Sequence, residues 1–138
     1  MDVTDECIFC KIANNQIPCS KIFENDKVLA FMDMAPVNKG HVLVIPKEHY
    51  KDFMEMPDAL MSEVAKAAKK VAKAVVRATN AEGFNLGQNN GKAAGQAVFH
   101  FHLHLIPRFE NDGLNPWPHK SYETGEMDKL AETIRSII

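Results

Sequence analysis

Residues 98–106 read VFHFHLHLI, and this stretch constrains the fold of the rest of the chain. Apolar side chains and histidines alternate along it, which is the period of a strand with one apolar face. The apolar row is Phe99, Phe101, Leu103 and Leu105, and the opposite row is His100, His102 and His104. On a regular strand the outer histidines would lie about 13 Å apart, so the three cannot bind one metal ion. Pro107 cannot donate to a ladder and is expected to end the strand.

The composition indicates one globular domain over residues 1–138. The chain is 46% hydrophobic, and its 16 Lys+Arg against 18 Asp+Glu give a net charge of -2. It therefore lacks the basic surface of an extended nucleic-acid binder. A small phosphorylated ligand fits, because neutral histidines and backbone amides bind phosphate without a basic surface. The sequence also lacks a basic segment followed by a long apolar run, so we expect a cytoplasmic protein without a membrane partner.

The remaining elements follow from the hydrophobic period. Further strands are predicted at residues 21–24, 28–32, 41–45 and 83–88, the first two joined as a hairpin across Asn25 and Asp26. A helical period runs from residue 58 to about residue 79, and a second, shorter one covers residues 127–138. The long helix should cover the apolar face of the 98–106 strand.

Two of the three cysteines, Cys7 and Cys10, form a Cys-x-x-Cys pair, and Cys19 is the third. A domain of this size does not need disulfides, and the number is odd, so free thiols or metal ligands are expected. Two cysteines three residues apart can direct both sulfurs to one ion and supply half of a tetrahedral site. The alternative is a pair of buried thiols.

Residues 88–96, QNNGKAAGQ, separate the last two predicted strands. Their Asn-Gly pair predicts a hairpin, but the segment is longer than a minimal turn. Its glycines would let backbone amides approach an anion, and Asn89 and Gln96 could donate side-chain hydrogen bonds. Taken alone, Asp33 and His41 are more typical of a turn carboxylate and a structural histidine.

The histidine row permits two chemistries. Two of its imidazoles with a third ligand could bind a catalytic metal, or one imidazole could attack a phosphorus atom while its neighbours orient it and protonate the leaving group. The glycine-containing loop favours phosphorus chemistry, because a phosphate needs such a loop and a metal site does not.

The run from His100 to Ile106 resembles the His-φ-His-φ-His-φ-φ signature of the histidine triad (HIT) family of nucleotide hydrolases and transferases, where φ is hydrophobic. The resemblance extends over residues 7–108, through CIFCKI, LAFMD, GHVLVIPKEH and GQAVFHFHLHLIPR, and is greatest to bacterial members. It implies an α+β fold with a five-stranded antiparallel sheet, in a homodimer. With the predicted helices, this gives one long helix and a short C-terminal helix, a core motif region of residues 7–108 and a tail of residues 109–138.

The resemblance also implies the hydrolysis of a purine nucleotide such as an AMP-amine conjugate. His102 would attack the α-phosphorus and form a nucleotidyl-histidine, His104 would contact the phosphoryl and leaving-group oxygens, and His41 would complete the set. The implied nucleotide-binding residues are Asp33 for the ribose, Asn89, Gln96 and Ala97 for the phosphate, and Ile8, Phe9, Ile12 and Phe31 for the base. A dinucleoside polyphosphate hydrolase and a nucleotide-binding scaffold with incidental hydrolysis are the alternatives.

A structural zinc ion is the one cofactor that the resemblance implies, with no catalytic cofactor. In bacterial relatives with this Cys-x-x-Cys pair, the ligands correspond to Cys7, Cys10, His49 and His100. One departure concerns Ala97, where many relatives carry a Ser or Thr thought to help protonate the leaving group. We therefore expect slow but real turnover.

Overall fold

A computed structural model describes residues 6–138 of the chain. The strands are β1 (Lys21–Glu24), β2 (Val28–Met32), β3 (Val42–Pro46), β4 (Gly83–Gly87) and β5 (Leu103–Arg108). The helices are α1 (Ile8–Ala13), α2 (Asp58–Thr79) and α3 (Glu126–Ile137). The strands form one antiparallel sheet in the order β1-β2-β3-β5-β4. This confirms the α+β class and the five-stranded sheet.

Helix α2 covers one face of the sheet, as its helical period predicts. Val64 and Val71 of the helix are buried against Val44 of β3 and against Phe101 and Leu105. The helix ends at Asn80, which adopts the left-handed conformation with φ 56° that asparagine tolerates at a helix end. The fully buried Phe101 and Leu105 confirm that this helix covers the apolar side of the histidine segment.

Helix α1 covers part of the opposite face of the sheet. Phe9 and Ile12 pack against Phe31 of β2 and Leu43 of β3 in a second apolar cluster. Cys7 caps the helix, since its Sγ accepts a hydrogen bond from the backbone N–H of Cys10. This packing brings the Cys-x-x-Cys pair to the sheet face that carries the histidines.

Strand β5 differs from the predicted strand at both ends. It begins at Leu103 rather than residue 98 and continues through Pro107, which was expected to end it. Beyond Leu105, β5 pairs only with β4, and the carbonyl of Pro107 accepts from Asn38 on the other side. The N and O atoms of a strand residue point to the same edge, so the missing N–H of Pro107 faces the side without a ladder partner.

Residues 98–102 bend away from the sheet before β5 begins. The backbone N–H of Phe101 donates to the carbonyl of Tyr50 at 2.7 Å instead of to a strand. Phe99 is 45% exposed, so the predicted apolar row holds only from Phe101 to Leu105. His100 and His102 therefore project from a bent segment, which lets neighbouring histidines of the motif face different partners.

The C-terminal part of the chain adds one helix. Helix α3 confirms the predicted terminal helix, and none of its residues is buried. Within residues 6–138, no helix has both the length and the apolar character needed to cross a membrane.

Candidate functional site

Three histidines from two parts of the chain form one cluster on the α1 side of the sheet. His41 lies just before β3, and His104 lies in β5 opposite Leu43 of β3. Nε2 of His41 is 2.9 Å from Nδ1 of His104, and the rings of His104 and His102 are 4.8 Å apart between centroids. The structure thus brings together all three predicted catalytic residues.

The tautomer of His102 follows from its hydrogen bond. Its Nδ1 lies 2.8 Å from the carbonyl oxygen of His100, which can only accept. Nδ1 therefore carries the proton, and Nε2 keeps its lone pair. The ring of Phe9 contacts His102 edge to face, with centroids 5.0 Å apart, and restricts rotation of the imidazole.

A second chain of hydrogen bonds defines the tautomers of His41 and His104. The backbone N–H of Val37 donates to Nδ1 of His41 at 3.0 Å, so the proton of neutral His41 is on Nε2. That proton is donated to Nδ1 of His104. Neutral His104 then carries its proton on Nε2. The cluster therefore combines an unprotonated nitrogen on His102 with an N–H donor on His104.

Burial favours the neutral form of all three histidines in the cluster. Burial lowers the pKa of His41 and of His102, and it lowers the pKa of His104 to about 4. The neighbouring imidazoles of His102 and His41 lower the pKa of His104 further, whereas the charge of Asp33 opposes the shift. Neutral imidazoles are the form that can both attack and donate a proton.

Asp33 adjoins the cluster from the end of β2. Its Oδ1 accepts from the backbone N–H of Ala35 at 2.9 Å, and its Oδ2 lies 3.6 Å from Nε2 of His41. Donor atoms of Asp33, His41 and His104 lie within 4.8 Å of one another, close enough for a metal site. However, metal binding through Nε2 of His41 would place a proton on Nδ1, facing the N–H of Val37. These hydrogen bonds favour a proton-transfer cluster over the catalytic-metal alternative.

The predicted zinc ligands Cys7, Cys10, His49 and His100 form a second cluster, with donor atoms within 4.8 Å of one another. Nδ1 of His100 lies 3.4 Å from Sγ of Cys7 and 3.5 Å from Sγ of Cys10. Nδ1 of His49 lies 3.3 Å from Sγ of Cys10 and 3.2 Å from Nδ1 of His100. Tetrahedral zinc with ordinary bond lengths separates sulfur from nitrogen by about 3.6 Å and two nitrogens by about 3.3 Å. The residues present therefore fit a Cys₂His₂ zinc site.

A hydrogen bond at Nε2 orients the ring of His100 and sets its tautomer as a metal ligand requires. Its Nε2 lies 2.8 Å from the carbonyl of Pro46 and must carry the proton, which leaves Nδ1 free to coordinate. Burial lowers the pKa of His100 to about 4, so the ring is neutral, as a metal ligand must be.

The 88–96 loop reaches the site in an ordered form. Gln96 is buried, and its Nε2 donates to the carbonyls of Lys51 and Val98, while its Oε1 accepts from the N–H of Gly91. Its side chain thus holds the loop in place. Among residues 6–138, the side chain of Asn89 makes no hydrogen bond, so its amide can donate to a ligand.

The residues predicted to surround the base do not share one environment. Phe9, Ile12 and Phe31 are buried together, with the rings of Phe9 and Phe31 5.7 Å apart and edge to face. Ile8 is 46% exposed and lies beside Ala97 at a neighbouring cleft.

Sequence reasoning missed the backbone groups that orient the histidines, namely the N–H of Val37 and the carbonyls of Pro46 and His100. Main-chain donors and acceptors have no signature in a sequence, so only the fold reveals them. It also missed the pairing of Arg108 with Asp112, at 2.7 and 3.0 Å, to which Asn38 adds a bond at 3.1 Å. This network holds the turn before His41 against the end of β5.

Comparison with known proteins identifies the family. The family model described as HIT domain matches residues 14–111. An adenosine 5'-monophosphoramidase of Schizosaccharomyces pombe is 44% identical over 134 residues, covering 96% of this chain and 98% of the relative.

Solved structures show the same relationship along nearly the whole chain. A HIT family protein from Bacillus anthracis superposes with a TM-score of 0.88 at 46% identity, covering 97% of this chain and 98% of that one. A Zn-bound histidine triad family protein from Mycobacterium smegmatis superposes with a TM-score of 0.77 at 33% identity, covering 96% and 99%. The residues matched by the family model, 14–111, contain the histidine cluster and the loop beside it. The chain therefore belongs to the HIT domain family.

Proposed function

We propose that this protein hydrolyses purine nucleotide conjugates at the α-phosphorus through a covalent nucleotidyl-His102 intermediate. Phosphoramidates such as an AMP-amine conjugate are the proposed substrates. The hydrogen bond from Nδ1 of His102 to the carbonyl of His100 carries this proposal, because it leaves Nε2 unprotonated as a nucleophile. The relative named adenosine 5'-monophosphoramidase supports the substrate class.

The proposed reaction has two displacements at phosphorus. In the first, Nε2 of His102 attacks the α-phosphorus, the bond from phosphorus to the amine breaks, and the amine leaves with the proton that Nε2 of His104 donates. Because His41 donates to Nδ1 of His104, the proton of neutral His104 is on Nε2. This N–H would hydrogen-bond the phosphoryl and leaving-group atoms. In the second, water attacks the same phosphorus, gives a proton back to Nε2 of His104, and releases His102 and the nucleoside monophosphate.

The nucleotide would be held by residues around this cluster. Asp33 has Oδ2 directed toward the site and would accept hydrogen bonds from the ribose hydroxyls. Asn89 and the backbone N–H of Ala97 would hold the phosphate. Gln96 fixes the loop, and its side-chain amide could donate to the phosphate only by giving up its hydrogen bond to the carbonyl of Lys51 or of Val98. The proposed base pocket is formed by Phe9, Ile12 and Phe31, with Ile8 at its exposed edge.

We also propose a structural zinc ion on Cys7, Cys10, His49 and His100. When bound, the ion would cross-link α1 to the segment that carries the histidines, and no step of the reaction would pass through it. Metal analysis of protein purified without chelator should find one zinc per chain, lost in Cys10→Ser and retained in Cys19→Ser. Zinc absent from the unmodified protein would disprove this part of the proposal.

A cytoplasmic homodimer is the proposed assembly. Strand β4 is an edge of the sheet, and its Phe84 and Leu86 are 44% and 52% exposed. With Ala72 and Val76 of α2 they line an apolar groove of about 570 Å³. An exposed edge strand beside an apolar groove is typical of a surface that pairs with a second copy.

A substrate panel combined with His102→Ala tests the proposed activity. We expect turnover to be highest on an adenosine phosphoramidate and to fall by about 10³-fold or more in the variant, with nucleotide binding retained. Higher kcat/KM on a dinucleoside polyphosphate would support the alternative hydrolase. Binding without turnover by the unmodified protein would support the scaffold.

A further inference from the structure

The two cysteines of the proposed zinc site differ in their access to solvent. Cys7 is partly exposed and lines a cleft of about 690 Å³ together with His49 and Ala97. Cys10 is only 1% exposed. A thiol that small solutes can reach, next to a second thiol that can displace the oxidised product, is the spatial arrangement of redox-sensing cysteines.

The same cluster is linked to the nucleophile by two routes. His100 lies against both sulfurs through Nδ1, and its own carbonyl accepts the hydrogen bond that orients His102. Phe9 lies between the two cysteines in the chain, and its ring contacts both imidazoles, with centroids 6.0 and 5.0 Å away. These contacts connect the bonding of the sulfurs to the position of the attacking group.

We propose that Cys7 and Cys10 are a redox modification site, and that their oxidation by hydrogen peroxide to a disulfide releases the metal and misorients His102. This inference rests on the proposed zinc site and nucleophile. It makes the hydrolase sensitive to peroxide, with the metal cluster as the sensor.

The oxidation balances in two steps. The thiolate of Cys7 attacks one oxygen of hydrogen peroxide, the O–O bond breaks, and a sulfenic acid and hydroxide form. The thiolate of Cys10 then attacks the sulfur of Cys7, an S–S bond forms, and a second hydroxide leaves. The two sulfurs supply the two electrons that peroxide accepts, and each hydroxide takes a proton to become water. The metal loses two of its four ligands.

Spacing permits this bond. The two sulfurs lie within 4.8 Å of each other, and cysteines separated by two residues form disulfides in Cys-x-x-Cys redox motifs. Cys19, like Cys7, packs against the apolar cluster that α1 forms with β2 and β3, but it takes no part in the metal site. It therefore provides a matched control thiol.

The test treats the purified, metal-loaded protein with hydrogen peroxide and follows zinc release with a chromogenic chelator and the disulfide by peptide mass mapping. We expect release of one zinc per Cys7–Cys10 disulfide formed, together with loss of kcat, and recovery of both after thiol reduction and addition of zinc. Cys19→Ser should respond like the unmodified protein. In Cys10→Ser, oxidation should stop at a sulfenic acid on Cys7, which a dimedone probe labels.

Several results would overturn the inference. One is that the protein keeps its zinc, with Cys7 and Cys10 still reduced, at peroxide doses that oxidise Cys19. Another is that the Cys7–Cys10 disulfide forms but leaves turnover unchanged. These outcomes leave the hydrolase proposal intact, because that proposal is tested by the unoxidised protein alone. Zinc absent before oxidation would also overturn the inference, because oxidation would then have no metal to release, and it would disprove the proposed zinc site as well.

Discussion

The carbonyl oxygen of His100 accepts a hydrogen bond from Nδ1 of His102 at 2.8 Å. The first histidine of the motif thus orients the second through its backbone, while its own Nδ1 lies within 3.5 Å of the sulfurs of Cys7 and Cys10. Three histidines that alternate evenly in the sequence consequently differ in their partners: one faces the cysteines, one has an unprotonated nitrogen, and His104 continues a hydrogen-bond chain from His41.

Nitrogen-15 NMR of the imidazoles should show two different tautomers in the cluster. At neutral pH we expect His102 to carry its proton on Nδ1, and His41 and His104 to carry theirs on Nε2. The reason is that a carbonyl accepts from His102, whereas the N–H of Val37 donates to His41. A proton on Nε2 of His102 would leave only Nδ1, which faces the carbonyl of His100, unprotonated and would contradict the assignment.

The buried imidazole of His104 should make the protein less stable in mild acid. Its pKa is lowered to about 4, against about 6.5 in an unfolded chain. Above about pH 6.5 it is neutral in both states, but between these values only the unfolded state takes up the proton, so the free energy of unfolding decreases as the pH falls. The groups facing it are His41, His102 and Asp33, and the pKa values of both histidines are lowered as well.

Urea unfolding of the unmodified protein and of His104→Gln at about pH 7 and about pH 5 measures this effect. The loss of stability between the two pH values should be smaller in the variant, which has no proton to gain at that position. His41 and His102 remain in both proteins, so the difference between the two losses reports the titration of His104 together with its coupling to them. Equal losses would show that His104 titrates alike in the folded and unfolded chains.

Much of this fold could be predicted because the elements have clear periods. Helix α2 was predicted over its observed length, as was the hairpin of β1 and β2. The start of β5 could not be predicted from alternation. Phe99 continues the pattern of Phe101, but the chain leaves the ladder there because Tyr50 and Pro46 supply hydrogen-bond partners that are distant in sequence.

The metal-ligand set illustrates the same limit in the candidate site. The cysteine pair predicts half of a metal site, but nothing local in the sequence selects His49 and His100 among six histidines. The structure brings these four residues together. It also reveals why Pro107 does not end β5, since the side that lacks an N–H has no neighbouring strand there.

Replacing Ala97 with serine should increase turnover. The resemblance implies that a Ser or Thr hydroxyl, which many relatives carry at this position, helps to protonate the leaving group, and a positioned acid contributes about 10²-fold or more. We expect kcat on an adenosine phosphoramidate to rise by at least about 10-fold with little change in KM. Ala93→Ser, in the same loop, is the control and should leave kcat unchanged. An unaltered rate in Ala97→Ser would indicate that His104 alone serves the leaving group.

A charge in the β4 groove should separate the proposed homodimer. Leu86→Asp places a carboxylate on an exposed apolar edge strand, where burial in an interface would be costly. Sedimentation should give twice the 15.4 kDa chain mass for the unmodified protein and the single chain mass for the variant. Ile22→Asp, on the opposite edge strand β1, should remain dimeric. If both variants stay dimeric, the interface lies elsewhere.

The covalent intermediate provides the most direct test of the proposed mechanism. Mixing the protein with an adenosine phosphoramidate, quenching in base and mapping peptides by mass should find an adenylyl group on His102, formed and lost at rates that account for kcat. The label should be absent in His102→Ala. Turnover without any trapped adduct, or an adduct on His104 or His41 instead, would contradict nucleophilic attack by His102.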